Sequence, residues 1–133
     1  MDNDINRMRA INEAIWLRDN APRLPRPELV KIVTDITRYE VYSARQLSAL
    51  TGGVLSHQTV ARLAGKTAKT GGRLAPESLD DIKQCFHDRV SKNVNFITVK
   101  RVLDSGTSQG MLKKLSGISQ AKISKGVTKL GPL

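Results

Sequence analysis

Gln58 and Arg62 stand four residues apart, and Gln120, Lys122 and Lys125 fall close together near the end of the chain. Four-residue spacing on a helix brings two side chains to one face. Presented there, a glutamine pairs with adenine and an arginine with guanine, each through two hydrogen bonds to the base edge. His57, beside Gln58, is expected to project with them. Lysine adds a compact positive charge suited to a phosphate. Other chemistries find little support. His57, His87 and the single cysteine, Cys85, are too few for a zinc site, so no metal is expected. Glu77, Asp80 and Asp81 open a predicted helix, where carboxylates serve the positive end of the dipole better than a hydrolytic centre. Cys85 falls on that helix's apolar face and reads as a small core residue rather than a nucleophile. No catalytic residue and no cofactor are expected.

The charge around these groups points the same way. The chain has 133 residues, with 22 Lys and Arg against 12 Asp and Glu, a net of +10. That excess suits a polyanionic partner, nucleic acid or an anionic membrane surface. Residues 1–87 hold 13 basic and 10 acidic side chains, whereas residues 88–133 hold 9 and 2. Two windows contain no acid at all. Val41 to Pro76 includes Arg45, Arg62, Lys66, Lys69 and Arg73; Ser105 to the end includes Lys113, Lys114, Lys122, Lys125 and Lys129. A carboxylate facing a phosphate costs Coulomb energy, so acid-free basic windows are expected where a duplex docks. Aromatic residues make up only 4% of the chain, too few for base-stacking platforms. No apolar run approaches membrane-spanning length, and the acidic start lacks a signal peptide's apolar stretch. A basic protein of the bacterial cytoplasm, associated with the nucleoid, is expected.

The elements that must position these groups are predicted to be helices throughout. Residues 3–20 carry Ile5, Met8, Ile11 and Ile15 at helical spacing, with Asp2 or Asn3 as cap and Trp16 expected in the core. Three prolines between Pro22 and Pro27 predict an extended connector. A second helix starts at Pro27 and uses Leu29, Val30, Ile32, Val33 and Ile36. Ser43 begins a short helix to Thr51, ended by Gly52-Gly53; Ser56 caps another, His57 to Ala64, with Val60 and Leu63 inward. Residues 65–73 read as a basic loop, and Pro76–Phe86 as a helix with Leu79, Ile82, Cys85 and Phe86 inward. Asn93–Leu103 is rich in β-branched residues, though a helix fits its surroundings better. Thr107 is expected to cap a helix through Leu115, Gly117 to break it, and Ser119 to cap a last helix closed by Gly126 or Gly131-Pro132. The fold expected is all-α, with an N-terminal helix and connector (1–25) and two small units (26–88 and 89–133).

Each unit repeats one pattern: a helix of about two turns, a glycine, an apolar plug, a Ser cap and a second short helix. That is the layout of a helix-turn-helix, whose second helix enters a major groove. The stretch Leu47–Phe86, with LTG, SHQTVARLAG and PESLDDIKQCF, resembles the helix-turn-helix core of phage lambda-repressor-type regulators. Gly53-Val54-Leu55 replaces that family's single apolar residue, so this turn is longer by two. Val102–Lys125, above all LSGISQAKISK, resembles a trihelical resolvase- or homeodomain-like unit, with Lys113 where alanine is usual. A small basic chain with two such units also resembles the immunity repressors of actinobacterial temperate phages.

These patterns imply roles. In the first unit His57, Gln58 and Arg62 face bases, while Ser43, Arg45, Gln46, Ser56 and Thr59 meet phosphates near helix N-termini. Lys66, Lys69 and Arg73 either follow the backbone or reach a minor groove. In the second unit Gln120, Lys122 and Lys125 face bases. Ser119 caps their helix at the DNA surface, and Thr107, Gln109, Lys113 and Lys129 meet phosphates. The function expected is sequence-specific repression at a double-stranded operator, by a monomer on an asymmetric site or by a homodimer on a palindrome. The alternatives are a DNA-bending or excision accessory protein and an antitoxin-like protein-interaction regulator.

Overall fold

The computed structural model describes residues 3–63 and 72–131, and among these every regular element is helical. α1 spans Asp4–Asn20, its start capped by Asn3, whose Oδ1 accepts from the Ile5 amide at 2.8 Å. The face it buries is Ala10, Ile11, Ala14 and Leu17. Two expectations are corrected here. Ile5 is 61% exposed and Trp16 46% exposed, because the buried face is turned toward Ala10, Ala14 and Leu17. Small residues let other helices approach α1 closely. Tyr42 uses that proximity to donate its hydroxyl to the Ala10 carbonyl at 2.7 Å.

The proline segment is not extended throughout, since Ala21–Arg23 closes one 3₁₀ turn. α2 (Arg26–Ile36) starts one residue before Pro27 and buries Leu29, Val33 and Ile36. α3 (Ala44–Leu50) and α4 (His57–Leu63) follow, and α4 buries Val60 alone. Leu63, expected inward, is 39% exposed, because it stands about 60° round the helix from Val60, the position that faces the core. After a 3₁₀ turn at Pro76–Ser78, α5 runs from Leu79 to Val90 and buries Leu79, Ile82, Cys85 and Phe86. Burial pushes the Cys85 thiol up to about 12, in keeping with a core role.

The β-branched segment is helical as α6 (Phe96–Asp104), capped by Asn95, with Thr98, Val99 and Val102 inward and Ile97 half exposed. α7 (Gln109–Ser116) and α8 (Gln120–Leu130) complete the chain. Gly126 does not close α8. It lies against Phe96, whose ring an added Cβ would overlap, and the helix ends instead at Gly131. One connected core draws on side chains from α1 to α8 and runs across the 88/89 boundary. α1 packs on α2, α3, α5 and α7, and α5 on α6 and α7, while α4 rests on α2 and α3 and α8 on α6 and α7. Fully burying each leucine or isoleucine of this core contributes about 1.5–3 kcal/mol. No helix among the described residues is long and apolar enough to cross a membrane.

Candidate nucleic-acid interface

The pairs α3–α4 and α7–α8 are built by the same local chemistry. Ser43 Oγ accepts from the Gln46 amide at 3.2 Å, while Gln46 Oε1 accepts from the Ser43 amide at 2.8 Å, a reciprocal cap. Ser108 caps α7 through the Met111 amide. Ser56 accepts from the Thr59 amide and Ser119 from the Lys122 amide, both at 3.2 Å. Each turn is held by a buried hydroxyl at the end of the first helix. Thr51 Oγ1 donates to the Ser48 carbonyl and accepts from the Leu55 amide at 3.3 Å. Ser116 Oγ donates to the Leu112 carbonyl and accepts from the Ile118 amide at 3.2 Å. In both cases the amide that is satisfied belongs to the plug, and Leu55 and Ile118 are each 1% exposed.

The longer first turn leaves this arrangement intact. Gly52 and Gly53 take φ values of +67° and +84°, which only glycine adopts without strain, and carry Val54 outward to 51% exposure. The second turn needs a single such residue, Gly117 at +80°. Arg89 secures it by donating Nε to the Ser116 carbonyl at 2.7 Å and reaching Asp4 with Nη2.

Aligning Ser56 with Ser119 matches the two second helices residue for residue. Val60 and Ile123 then coincide, and both are fully buried. Positions two before and two after a buried residue lie about 200° round the helix, at the centre of the outer face. In α4 these are Gln58 and Arg62; in α8 they are Ala121 and Lys125, and all four are exposed. His57 and Thr59 flank the face, half-buried, while Gln120 is fully outside. Arg62 Nη2 reaches Thr59 Oγ1 at 3.5 Å. Lys122, Lys125 and Lys129 form one stripe along α8, bordering an apolar trough of about 530 Å³ lined also by Phe96, Ala121, Gly126 and Leu130. Their aliphatic stems lie along it, leaving the ammonium groups in solvent.

Two residues expected at phosphates are not on the surface. Gln46 is 5% exposed, because its amide also donates Nε2 to the Gly72 carbonyl at 2.6 Å. Thr107 is 2% exposed, and the cap expected from it belongs to Ser108. Its hydroxyl accepts from the Ala75 amide at 3.0 Å and bonds Ser78 Oγ at 2.7 Å. Ser43 is partly covered, and Gln109 is half-buried with its Oε1 bonded by Ser124 Oγ. Arg45, Ser56, Lys113, Ser119 and Lys129 are exposed. Arg73 is exposed on the second pair's side, close over Gly106, while its carbonyl accepts from the Ser108 amide. Lys66 and Lys69 lie outside the described residues. Ala121, Thr51 and Ser116 were not singled out from the sequence; counting from the two serine caps would have found the first.

Charge separates by element. Asp4 pairs with Arg7 and Arg89, Glu13 with Arg38, Asp19 and Asp80 with Arg18, Asp81 with Arg101 and Asp104 with Lys100. Most of these pairs lie on α1, α5 and α6. Among the described residues, Arg45, Arg62, Arg73, Lys113, Lys122, Lys125 and Lys129 have no carboxylate partner. Arg9, Arg23, Arg26, Lys31, Lys83 and Lys92 also lack one among the described residues. Residues 3–42 and 76–107, however, hold 12 Lys and Arg against 11 Asp and Glu, whereas residues 43–63, 72–75 and 108–131 hold eight Lys and Arg and no acid. The excess positive charge therefore falls on the two helix pairs and the segment joining them. Also among the described residues, no group of His, Cys, Asp and Glu is arranged to hold a metal ion. No protein family, curated protein or solved structure matches the chain.

Proposed function

We propose that this chain is a sequence-specific double-stranded DNA-binding protein, a transcriptional repressor of the phage-immunity kind that its motifs resemble. Both helix pairs act as helix-turn-helix units, placing α4 and α8 in major grooves. The observation that carries this reading is the matched pair of Ser-capped helices whose outer faces are basic, uncompensated and free of acid. Gln58 and Arg62 supply side chains able to discriminate adenine and guanine. Gln120, Lys122 and Lys125 face bases in the second groove, and Lys129, with Arg45 and Lys113, holds phosphates and gives affinity that falls with salt. One chain thus presents two different outer faces, which suits an asymmetric site read by a monomer.

Enrichment from a random duplex library at near-physiological salt, followed by titration of the enriched site, tests the proposal. An asymmetric motif is the expected result. A palindrome would point to a dimer, and the absence of any enrichment would overturn sequence-specific binding. A bent complex without sequence preference would favour the architectural alternative, which nothing in the helix faces singles out.

A further inference from the structure

Residues 72–75 lie between the two helix pairs and are bonded to both. On one side the Gly72 carbonyl accepts from Gln46, in the first turn of α3. On the other, the Arg73 carbonyl accepts from the Ser108 amide at 2.9 Å, and the Ala75 amide donates to Thr107 Oγ1, both just before α7. Leu74 and Ala75 are buried, and Ser78 completes the Thr107 hydroxyl's bonding. We infer that this segment is a strap setting the separation of the two helix pairs, with Gln46 and Thr107 as the positioning residues that fix the base-pair spacing between the two halves of the site. The spacing part rests on the DNA-binding reading above.

The physical reasoning is short. Gln46 and Thr107 have side chains suited to phosphate, yet both are buried and each commits one hydrogen bond to the same stretch of backbone. A buried donor or acceptor that loses its partner cannot turn to water instead, so the strap holds its position. Adding one base pair between two half-sites moves them about 3.4 Å apart and turns one by about 35° about the duplex axis. A rigid protein cannot follow that change, whereas a loosened one can.

Two variants cut the strap at opposite ends. Gln46→Glu keeps an acceptor for the Ser43 amide, preserving the cap, but removes the donor to Gly72. Thr107→Val removes the hydroxyl while keeping the shape, and Thr107→Ser restores it. The first measurement needs no DNA: spin labels on Ala61→Cys and Ala121→Cys, exposed on α4 and α8, report the distance between the two helices by pulsed electron resonance. Cys85 is buried and does not compete for label. The labelled chain without strap substitutions and Thr107→Ser are expected to show one narrow distribution, and the two cutting variants a broadened or shifted one. The second measurement titrates the enriched duplex with one base pair inserted or deleted between its halves. Wild type should lose about 100-fold or more in affinity, as simultaneous engagement fails. The cutting variants should lose less than about tenfold relative to their own best site. An unchanged distance distribution in both cutting variants overturns the strap. A broadened distribution with unchanged spacing discrimination overturns its role in site spacing. Failure to enrich any duplex overturns the DNA-binding reading and with it the spacing role, while the distance measurement alone still decides the strap.

Discussion

The helix pairs α3–α4 and α7–α8 share their interior and differ on their outer faces. Both set a serine at the start of the second helix, a buried aliphatic plug in the turn and a buried hydroxyl bonded to the plug's amide. Outside, the first presents Gln58 and Arg62 where the second presents Ala121 and Lys125. The interior is constrained by unsatisfied amides and close packing, so it recurs. The outer face touches only solvent in the free protein and is left to function. On the DNA-binding reading both units face bases but with different groups, Gln58 and Arg62 in the first and Gln120 with lysines in the second.

The shared interior is tested by its plugs. Leu55→Ala and Ile118→Ala should each cost about 2–5 kcal/mol, the range for removing a fully buried large aliphatic side chain. Thermal unfolding followed by circular dichroism measures this. Because the core is continuous, either change should lower one shared transition. Two separate transitions would mean that the pairs melt independently.

The outer faces call for a different pair of substitutions. Arg62→Ala should cost about 1–3 kcal/mol on the enriched duplex and relax preference at one position. Lys129→Ala should weaken binding to all duplexes alike and lower the slope of log K against log salt by about 1. If Lys129→Ala instead relaxed base preference and Arg62→Ala did not, the assignment of base and phosphate contacts would be reversed.

Smaller effects should come from the caps. Ser56→Ala and Ser119→Ala each remove one acceptor at a helix start and should cost about 1 kcal/mol. Over its described residues α4 buries Val60, whereas α8 buries Ile123 and Gly126, so the local consequence should be greater for α4. Hydrogen exchange of the first amides in each helix would show it.

The smallest effect concerns pH. The Arg89 and Arg7 guanidiniums hold the Asp4 carboxyl below its ordinary value, tying the start of α1 to the end of α5. A lowered folded value means the unfolded chain takes up the proton first. Asp4's contribution is therefore present above the ordinary carboxyl range and lost as pH falls through the lowered value. Asp4→Asn should cost stability near neutrality, and the difference from wild type should vanish in strong acid. A difference that persists there would assign it to the cap region rather than to the ion pairs.

Much of this was legible in the residues. Serines before short apolar repeats announce helix starts, and Ser43, Ser56 and Ser119 all cap as expected. Leu55 and Ile118 follow glycines in turns and are buried, and Cys85 lies in the core. The same kind of reasoning failed where two neighbouring local solutions were of equal quality. In α1 the expected face is turned rather than replaced. Ile11 is fully buried, Met8 and Ile15 pack at the edge of the core, and the neighbouring helices draw in Ala10, Ala14 and Leu17 while leaving Ile5 and Trp16 outside. Ser108 took the cap expected of Thr107 one residue earlier, and Asn95 capped α6 two residues into the segment that the apolar pattern opened at Asn93.

Gln46 and Thr107 show the deeper limit. Nothing local distinguishes a glutamine or threonine at a helix start that will meet solvent from one that will meet another part of the chain. The deciding partners are Gly72, 26 residues after Gln46, and Ala75, 32 residues before Thr107. The sequence by itself determined an all-helical chain, two acid-free basic windows and the local construction of two helix pairs, because propensity, capping and charge act over a few residues. Only the tertiary structure decided which face of α1 is covered, which polar side chains are consumed internally and how the two outer faces are held together, because burial and long-range hydrogen bonds depend on what the rest of the chain brings alongside.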